Sequence, residues 1–207
     1  MKLLLVRHGE SRGNLDRRWQ GWLDEPLTDR GRGQARLLAE RLSRWSTERS
    51  MPIVAVYSST LSRAYQTAGI LARRWGVPLV LDGRLRERNI GELEGLTWPE
   101  VEARHPQVVQ ALRERWVVPT LDGGESIVDL PGKRPPALWA DRVWQATQEI
   151  LERTRGSDDD ASVALVSHGG TLNAFFNRLT GRDDEMPFLF RLGNASLSVV
   201  EFQNGRP

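Results

Sequence analysis

The sequence predicts an α/β fold: a three-layer sandwich with a mostly parallel central sheet and helices on both faces. Short apolar runs typical of strands buried on both faces alternate along the chain with segments that repeat apolar residues at helical spacing. Such alternation favours parallel strands joined by helical crossovers. With 207 residues, 39% apolar and 27% charged, the chain can form one large core, so we expect a single domain over residues 1–207.

The first half of the chain contains three predicted strands and two predicted helices. Each strand is a short apolar run, and the three lie at residues 3–6, 53–57 and 78–81. An amphipathic helix follows each of the first two strands, at residues 28–45 and 61–75. Candidate N-cap residues are Thr28 or Asp29 for the first helix and Ser58, Ser59 or Thr60 for the second. The polar loop at residues 82–95 carries several charges and is a candidate functional loop.

The second half adds helices, two strands and two polar loops. Thr97 and Glu100 form a capping-box pattern that opens a helical segment over 99–116, interrupted near Pro106. Two further helices are predicted at 139–150 and 170–179. Two further strands are predicted at 162–166 and 195–202, the second at a sheet edge. The loops are a Pro- and Gly-rich segment at 130–136 and an acidic turn at 158–160. Within the single domain, residues from about 96 to 137 are expected to form a small helical cap region.

Composition excludes several functional classes. The chain has no Cys, which rules out disulfides, thiol catalysis and Cys-ligated metals. Its net charge of +2 is small and its Arg residues are scattered among Asp and Glu, so no nucleic-acid partner is expected. The apolar run after Lys2 is far shorter than the roughly 20 residues of a membrane span, so we expect no membrane partner and a cytoplasmic location.

Four basic side chains are predicted to meet at one edge of the sheet. Arg7 and His8 leave the end of the first strand and His168 leaves the end of a later one, and parallel sheets bind ligands at these carboxyl ends. Arg63 lies in the first turn of the helix after the second strand, and a guanidinium matches phosphate oxygens bidentately. Together with the N–H groups of helix N-termini, they suit a dianion and point to phosphoryl chemistry. The third histidine, His105, is interpreted as a surface or capping residue.

The charged loop supplies a carboxyl group for the same site. Glu87, between Arg86 and Arg88, is the candidate, because a carboxylic acid beside a phosphate suits a proton donor to a leaving alkoxide. Trp22, in the loop after Gly21, is interpreted either as a wall of the pocket or as a packing anchor.

Five ordered sequence blocks carry a resemblance to a known family. They are Arg7-His8-Gly9-Glu10-Ser11 with Asn14, Ser58-Ser59 through Arg63-Ala64 to Thr67-Ala68, Leu85-Arg86-Glu87 with Gly91 and Glu94-Gly95, Gly123-Gly124-Glu125-Ser126, and Val166-Ser167-His168-Gly169-Gly170. In these blocks the chain resembles the histidine phosphatase superfamily, also called phosphoglycerate-mutase-like. A lone Arg-His-Gly is a weak signal, but five blocks in matching strand and loop contexts are specific.

The resemblance implies a mechanism and the residues that perform it. His8 would attack phosphorus and form a phosphohistidine, while Arg7, Arg63 and His168 would hold the phosphoryl oxygens. Glu87 would protonate the leaving oxygen and then activate water. Further residues on the substrate and phosphate side of the pocket would be Asn14, Gln20, Gly21 and Gly169. No metal and no cofactor is implied, the partner would be a small phosphorylated metabolite, and a homodimer stays open because members of the family often dimerise.

The resemblance favours the phosphatase branch of the family over the mutases. Mutases carry a longer lid after the position of Gly95, whereas about 27 residues separate Gly95 from Gly123 here, so water should reach a phosphohistidine. Gln20-Gly21 and the block at Gly123 also resemble the phosphatases. The segment at 130–136 departs from the family pattern, and its Lys133 and Arg134 suit either a solvated loop or contact with an anionic substrate.

Two alternatives to a metal-independent phosphatase remain. One is a phosphoglycerate mutase, which would interconvert 2- and 3-phosphoglycerate. The other, from a different class, is a non-catalytic protein that binds a phosphorylated ligand on the same fold. It is disfavoured because every catalytic position of the family is present in this chain.

Overall fold

The computed structural model describes residues 1–49, 51–115, 121–125, 139–155, 161–182 and 190–202, and these form alternating strands and helices. The strands are β1 (Lys2–Arg7), β2 (Ile53–Ser58), β3 (Leu79–Leu81), β4 (Ser162–Ser167) and β5 (Leu197–Glu201). The helices are α1 (Arg12–Leu15), α2 (Asp29–Glu48), α3 (Ser62–Trp75), α4 (Trp98–Arg104), α5 (Pro106–Arg115), α6 (Trp139–Arg155) and α7 (Gly169–Leu179). Each predicted strand and helix is found, with bounds that shift by a few residues. The predicted loop at 130–136 and the acidic turn at 158–160 lie outside the described residues.

The sheet has the order β3-β2-β4-β1-β5, and its first four strands are parallel. β5 pairs with β1 in the antiparallel direction and forms one edge, as its alternating sequence predicts. β1 and β4 are neighbours whose register places Arg7 opposite Ser167. The carboxyl ends of β1 and β4 therefore lie side by side, although more than 150 residues separate them in sequence.

Helices cover both faces of the sheet, which gives the predicted three layers. On one face, Leu4 and Val6 of β1 pack in a buried cluster with residues of α2 and α3. On the other face, Leu3 and Leu5 pack in a second cluster with residues of α6 and α7. Because successive side chains of a strand point to opposite faces, a fully apolar run such as residues 3–6 needs both layers.

Residues of α4 and α5 form a third, smaller buried cluster together with Leu93. Its buried residues are Leu93, Val101, Val108 and Val109. Glu100 accepts hydrogen bonds from the Thr97 N–H and hydroxyl, both at 2.8 Å, which confirms the predicted capping box. His105 ends α4 as its C-cap, immediately before Pro106 begins α5. This pair and residues 121–125 belong to the described part of the expected cap region, and residues 116–120 and 126–137 lie outside the described residues.

The predicted cap of α2 is confirmed and that of α3 is wrong. Thr28 accepts the Gly31 N–H at 3.0 Å and caps α2. The residue before α3 is Leu61, which offers no side-chain cap, and the Asp24 carboxylate instead accepts the Ser62 N–H at 2.6 Å. The hydroxyls of Ser58, Ser59 and Thr60 are engaged by the Ser59 carbonyl, His168 and Arg86, respectively. The capping carboxylate therefore comes from a distant loop, which leaves these hydroxyls to other partners.

No helix among the described residues combines the length and the apolar character that crossing a bilayer requires.

Candidate active site

A cavity of about 400 Å³ opens at the carboxyl edge of the sheet. Seven of the nine predicted site residues line it: Arg7, His8, Gln20, Gly21, Arg63, Glu87 and Gly169. The other two, His168 and Asn14, lie behind the lining. A cavity of this volume accommodates a whole small metabolite rather than a single inorganic anion.

His8 is buried at the end of β1, with a ring orientation fixed by the main chain. Its Nδ1 lies 2.7 Å from the Gly9 carbonyl oxygen. A carbonyl oxygen only accepts hydrogen bonds, so Nδ1 carries the proton and Nε2 keeps its lone pair. Burial and the charges of Arg63 and Arg7 hold the pKa of His8 well below its usual value of 6.5. The imidazole is therefore neutral, which leaves Nε2 available as a nucleophile.

His168 lies directly beside His8, with ring centroids 5.2 Å apart. The Arg63 Nε–H donates to its Nδ1 at 3.2 Å, so the imidazole proton sits on Nε2 and is donated to the Ser59 hydroxyl at 2.8 Å. Burial and the Arg63 charge lower its pKa well below the usual value of 6.5. His168 is thus a neutral, fully hydrogen-bonded group behind the lining residues.

Arg63 is only 1% exposed and reaches the cavity from the first turn of α3. Its guanidinium donates to the Leu23 carbonyl at 2.8 Å and to the Gly21 carbonyl at 2.7 Å, besides its bond to His168. Burial lowers the pKa of Arg63 to about 10, so the side chain stays charged at neutral pH. These three bonds use three of its five N–H donors, which leaves two for a ligand.

Arg7 carries a buried donor without an acceptor. Its Nη1 donates to the Leu192 carbonyl, but its Nε has no hydrogen-bond partner among the described residues. An unsatisfied buried N–H costs about 1–3 kcal/mol. Because Arg7 lines the cavity, an oxyanion bound there would supply the missing acceptor.

Glu87 is held at the cavity by the N-terminus of α7. Its carboxylate accepts the Gly170 N–H at 2.9 Å, the Thr171 N–H at 3.0 Å and the Thr171 hydroxyl at 3.1 Å. A Cβ at Gly170 would lie 2.6 Å from Glu87 Oε1, so only glycine permits this close approach. The favourable end of the helix dipole adds to these bonds.

Asn14 does not line the cavity, although the family resemblance predicts it on the phosphate side. Its Oδ1 accepts the Ser11 N–H at 3.2 Å and the Asn194 Nδ2–H at 3.0 Å. Asn194 also donates to the His8 carbonyl at 3.4 Å. In this structure Asn14 therefore belongs to the hydrogen bonds behind His8.

The cavity wall includes a segment that no sequence motif predicts. Phe190, Arg191 and Leu192 line it, and Asn173 of α7 clamps this segment through hydrogen bonds with both the Phe190 N–H and carbonyl, at 2.9 and 3.0 Å. Asn173 lies one helical turn after Gly169, so the predicted start of α7 could have indicated it. Segment 190–192 carries no motif, and only the folded chain places it here.

Trp22, for which the sequence allows two roles, is a packing anchor. It is not among the cavity-lining residues, and its indole N–H donates to the Glu87 carbonyl at 2.8 Å. The Arg86 guanidinium lies 5.0 Å from the Trp22 ring centroid, a cation–π contact. Trp22 thus ties the loop after Gly21 to the loop that carries Glu87.

The site has two imidazoles, two arginines and one carboxylate. Across the described ranges, no group of three or more His, Asp or Glu side chains could hold a metal ion. The arrangement offers a nucleophilic nitrogen, cations for an oxyanion and a group that can carry a proton.

Comparison with known proteins agrees with this arrangement. The family model for the histidine phosphatase superfamily (branch 1) matches residues 3–207. The chain is 38% identical over 198 residues to a glucosyl-3-phosphoglycerate phosphatase of Mycolicibacterium vanbaalenii, covering 94% of this chain and 81% of the relative. It is 34% identical over 205 residues to a probable phosphoglycerate mutase GpmB of Photorhabdus laumondii, covering 99% and 86%. The solved structure of a mycobacterial glucosyl-3-phosphoglycerate phosphatase with VO3 superposes with a TM-score of 0.79 at 34% identity, covering 96% and 90%.

Proposed function

This chain belongs to the histidine phosphatase superfamily and is a phosphoric monoester hydrolase of that type, and we propose that it works through a phosphohistidine at His8. One observation carries the proposal: His8 Nδ1 lies 2.7 Å from the Gly9 carbonyl oxygen, which leaves Nε2 free to attack, and burial lowers the pKa of this imidazole. The guanidinium groups of Arg7 and Arg63 line the same cavity as His8, as an attack on a dianionic phosphate requires.

The first step transfers the phosphoryl group to the enzyme. His8 Nε2 forms a bond to phosphorus while the bond from phosphorus to the ester oxygen breaks. Arg7 Nε and the two remaining Arg63 donors bind the phosphoryl oxygens and stabilise their charge. Glu87, at the cavity wall, gives a proton to the leaving oxygen, which departs as an alcohol.

The second step returns the enzyme to its starting state. A water molecule attacks phosphorus and the bond from phosphorus to Nε2 breaks, which releases inorganic phosphate. The Glu87 carboxylate takes a proton from that water, so it is again an acid for the next substrate. The hydrogen bonds from Gly170 and Thr171 hold the carboxylate at the cavity during both transfers.

The described part of the cap region leaves the cavity open to water, which favours hydrolysis over the mutase reaction. None of the residues in 96–115 and 121–125 lines the cavity, so α4 and α5 do not close it. We propose a small phosphorylated metabolite as the substrate. Arg191 is exposed at the cavity wall, beside Phe190, where it would attract a second negative group or contact an apolar part of such a molecule.

Substitution of the nucleophile tests the proposal. His8→Ala is expected to reduce hydrolysis of an aryl phosphate to the level of buffer alone, because no phosphohistidine can form. Acid-labile, base-stable phosphate should be trapped on the parent protein and be absent from His8→Ala. The matched control is His105→Ala, which removes a histidine outside the cavity and should leave turnover unchanged.

The same assay separates the alternatives. Offered 3-phosphoglycerate within a panel of phosphate esters, the parent should release phosphate faster than it forms 2-phosphoglycerate. Interconversion faster than release would support the mutase. Full hydrolysis by His8→Ala would overturn the mechanism, and phosphate binding without any turnover by the parent would support a non-catalytic binder.

A further inference from the structure

Arg142 of α6 lies beneath the loop that carries Glu87 and bonds to its main chain. Its Nη1 donates to the carbonyls of Arg84 at 2.6 Å and Arg86 at 2.8 Å. Its Nη2 donates to the carbonyl of Glu87 at 2.9 Å. Three carbonyls within four residues of chain therefore converge on one guanidinium, whose side chain is 13% exposed.

Glu125 holds the other side of the same guanidinium. Its two carboxylate oxygens accept Arg142 Nε–H at 2.8 Å and Nη2–H at 2.7 Å, a bidentate pair. The carboxylate also accepts the Asn89 N–H at 2.8 Å, and the Glu125 carbonyl accepts Arg88 Nε–H at 2.9 Å. Glu125 is thus bonded to the Glu87 loop both directly and through Arg142.

All five N–H donors of Arg142 are used, three by the Glu87 loop and two by Glu125. Arg142 is also absent from the cavity lining. It therefore has neither a donor nor a path to a substrate, and any effect it has on the reaction must pass through the loop it holds.

The side chain and the main chain of Glu87 are held by different elements. The N-terminus of α7 holds its carboxylate, whereas Arg142 and Trp22 hold its carbonyl. Without the cation, three converging carbonyl dipoles would face the Glu125 carboxylate unshielded, and the loop would move away. A displacement of about 1 Å is enough to cost a large part of a proton-transfer advantage.

We infer that Arg142, paired with Glu125, is a positioning residue that fixes Glu87 for proton transfer to and from the reacting oxygens. The inference rests on the proposed function, in which Glu87 is the group that carries the proton. It also assigns a role to Glu125 of the Gly123 block, which the steps at phosphorus leave unused.

Leaving-group dependence tests this positioning role. An alkyl phosphate needs a proton on its departing alkoxide, whereas a nitrophenyl phosphate leaves as a stable anion and does not. Arg142→Lys keeps the charge but has three donors instead of five in a planar fork. We expect it to lower kcat/KM for the alkyl ester at least tenfold more than for the nitrophenyl ester, with KM for the nitrophenyl ester little changed.

Two further variants make the result specific. Arg84→Lys is the matched control, because Arg84 lies in the same loop but its side chain bonds to Asp82 and Glu149 rather than to the Glu87 main chain. It should leave the ratio of the two kcat/KM values unchanged. In a Glu87→Gln background, Arg142→Lys should lower kcat/KM for the two esters by the same factor, since the carboxyl group that Arg142 positions is gone.

Equal losses on both esters in Arg142→Lys would overturn the inference and leave Arg142 a purely structural residue. If Arg142→Lys does not fold, Glu125→Gln carries the test, and the absence of asymmetry in that variant overturns the inference as well. The proposed function fails separately, when Glu87→Gln itself shows no leaving-group dependence or His8→Ala stays active.

Discussion

The two site histidines lie in surroundings that oppose their protonation. His8 is 3% exposed and His168 is 1% exposed, and both lie beside the charge of Arg63. A buried cation next to another cation is unfavourable, which is why both pKa values fall well below 6.5. The same surroundings that keep Nε2 of His8 nucleophilic therefore make folding sensitive to acid.

We predict that the free energy of unfolding decreases as the pH falls below about 6.5. In the unfolded chain both imidazoles bind protons near that pH, whereas in the folded chain they stay neutral, so acid favours unfolding. Each histidine contributes up to about 1.4 kcal/mol per pH unit until its folded pKa is reached. Urea unfolding at pH 7.5 and 5.5 measures the decrease in the free energy of unfolding. This decrease should be smaller in the double variant His8→Gln with His168→Gln. An unchanged loss in that double variant would contradict the prediction.

Residues at strand ends can be predicted from the sequence, and those that act on main-chain groups cannot. Arg7, His8 and His168 follow apolar runs, so their meeting at one edge follows from the rules of parallel sheets. Arg142 sits on an ordinary amphipathic helix, and its partners are carbonyls of a loop about 55 residues earlier in the chain. The pattern of side chains in the sequence does not predict where main-chain carbonyls meet in the folded chain.

At the scale of elements, α2 begins against the loop that follows His8. A Cβ at Gly31 would lie 2.1 Å from the Glu10 carbonyl oxygen, and one at Gly9 would lie 2.5 Å from the Gly31 carbonyl oxygen. Two glycines thus let the helix approach the main chain next to the nucleophile. A Cβ at Gly33, two residues further along α2, would meet no atom beyond its own stretch of helix within 4 Å. A methyl group therefore fits at this position.

We predict opposite effects of alanine at these two helix positions. Gly31→Ala should reduce the free energy of unfolding by about 1–3 kcal/mol, because a methyl group there must push the Glu10 main chain away. It should also lower activity, since Glu10 is two residues from His8. Gly33→Ala should raise stability by about 0.5–1 kcal/mol by reducing the freedom of the unfolded chain. Chemical denaturation of both variants checks this, and a stabilising Gly31→Ala would contradict the packing described.

Element types are more predictable than element ends. The strands and long helices follow from apolar periodicity, which burial on one or both faces imposes on the sequence itself. The start of α3 does not follow from periodicity. Its capping residue, Asp24, is 38 residues upstream of Ser62 and reaches it only in the folded chain. Capping propensity favours the local serines and threonine, but tertiary hydrogen bonds engage Ser59 and Thr60, and Ser58 donates to the neighbouring Ser59 carbonyl.

At the scale of the whole molecule, the cavity joins distant parts of the chain. Arg7 comes from β1, Arg63 from α3, Glu87 from the loop after β3 and Leu192 from the approach to β5. A ligand that contacts all of them binds only when these segments are assembled. Occupancy of the cavity is therefore linked to global stability rather than to the order of a single loop.

We predict that inorganic phosphate stabilises the folded protein and that Arg7 is needed for the effect. At a phosphate concentration 100-fold above Kd, the free energy of unfolding should rise by about 2.7 kcal/mol. Arg7→Gln removes the buried donor that lacks an acceptor, so its own increment, measured against the phosphate-free variant, should be strongly reduced. Denaturant titrations with and without phosphate measure the increment of the parent protein and that of Arg7→Gln.

The same titrations in EDTA test whether a metal takes part in holding the anion. The cations around the cavity are side chains of the chain itself, and two of them, Arg7 and Arg63, remain charged because guanidinium groups keep their proton even when buried. Neither the increment nor hydrolysis of an aryl phosphate should then change when EDTA is added. Loss of both with the chelator, restored by a divalent cation, would show that these arginines do not suffice. A full increment in Arg7→Gln would instead show that phosphate binding does not need Arg7.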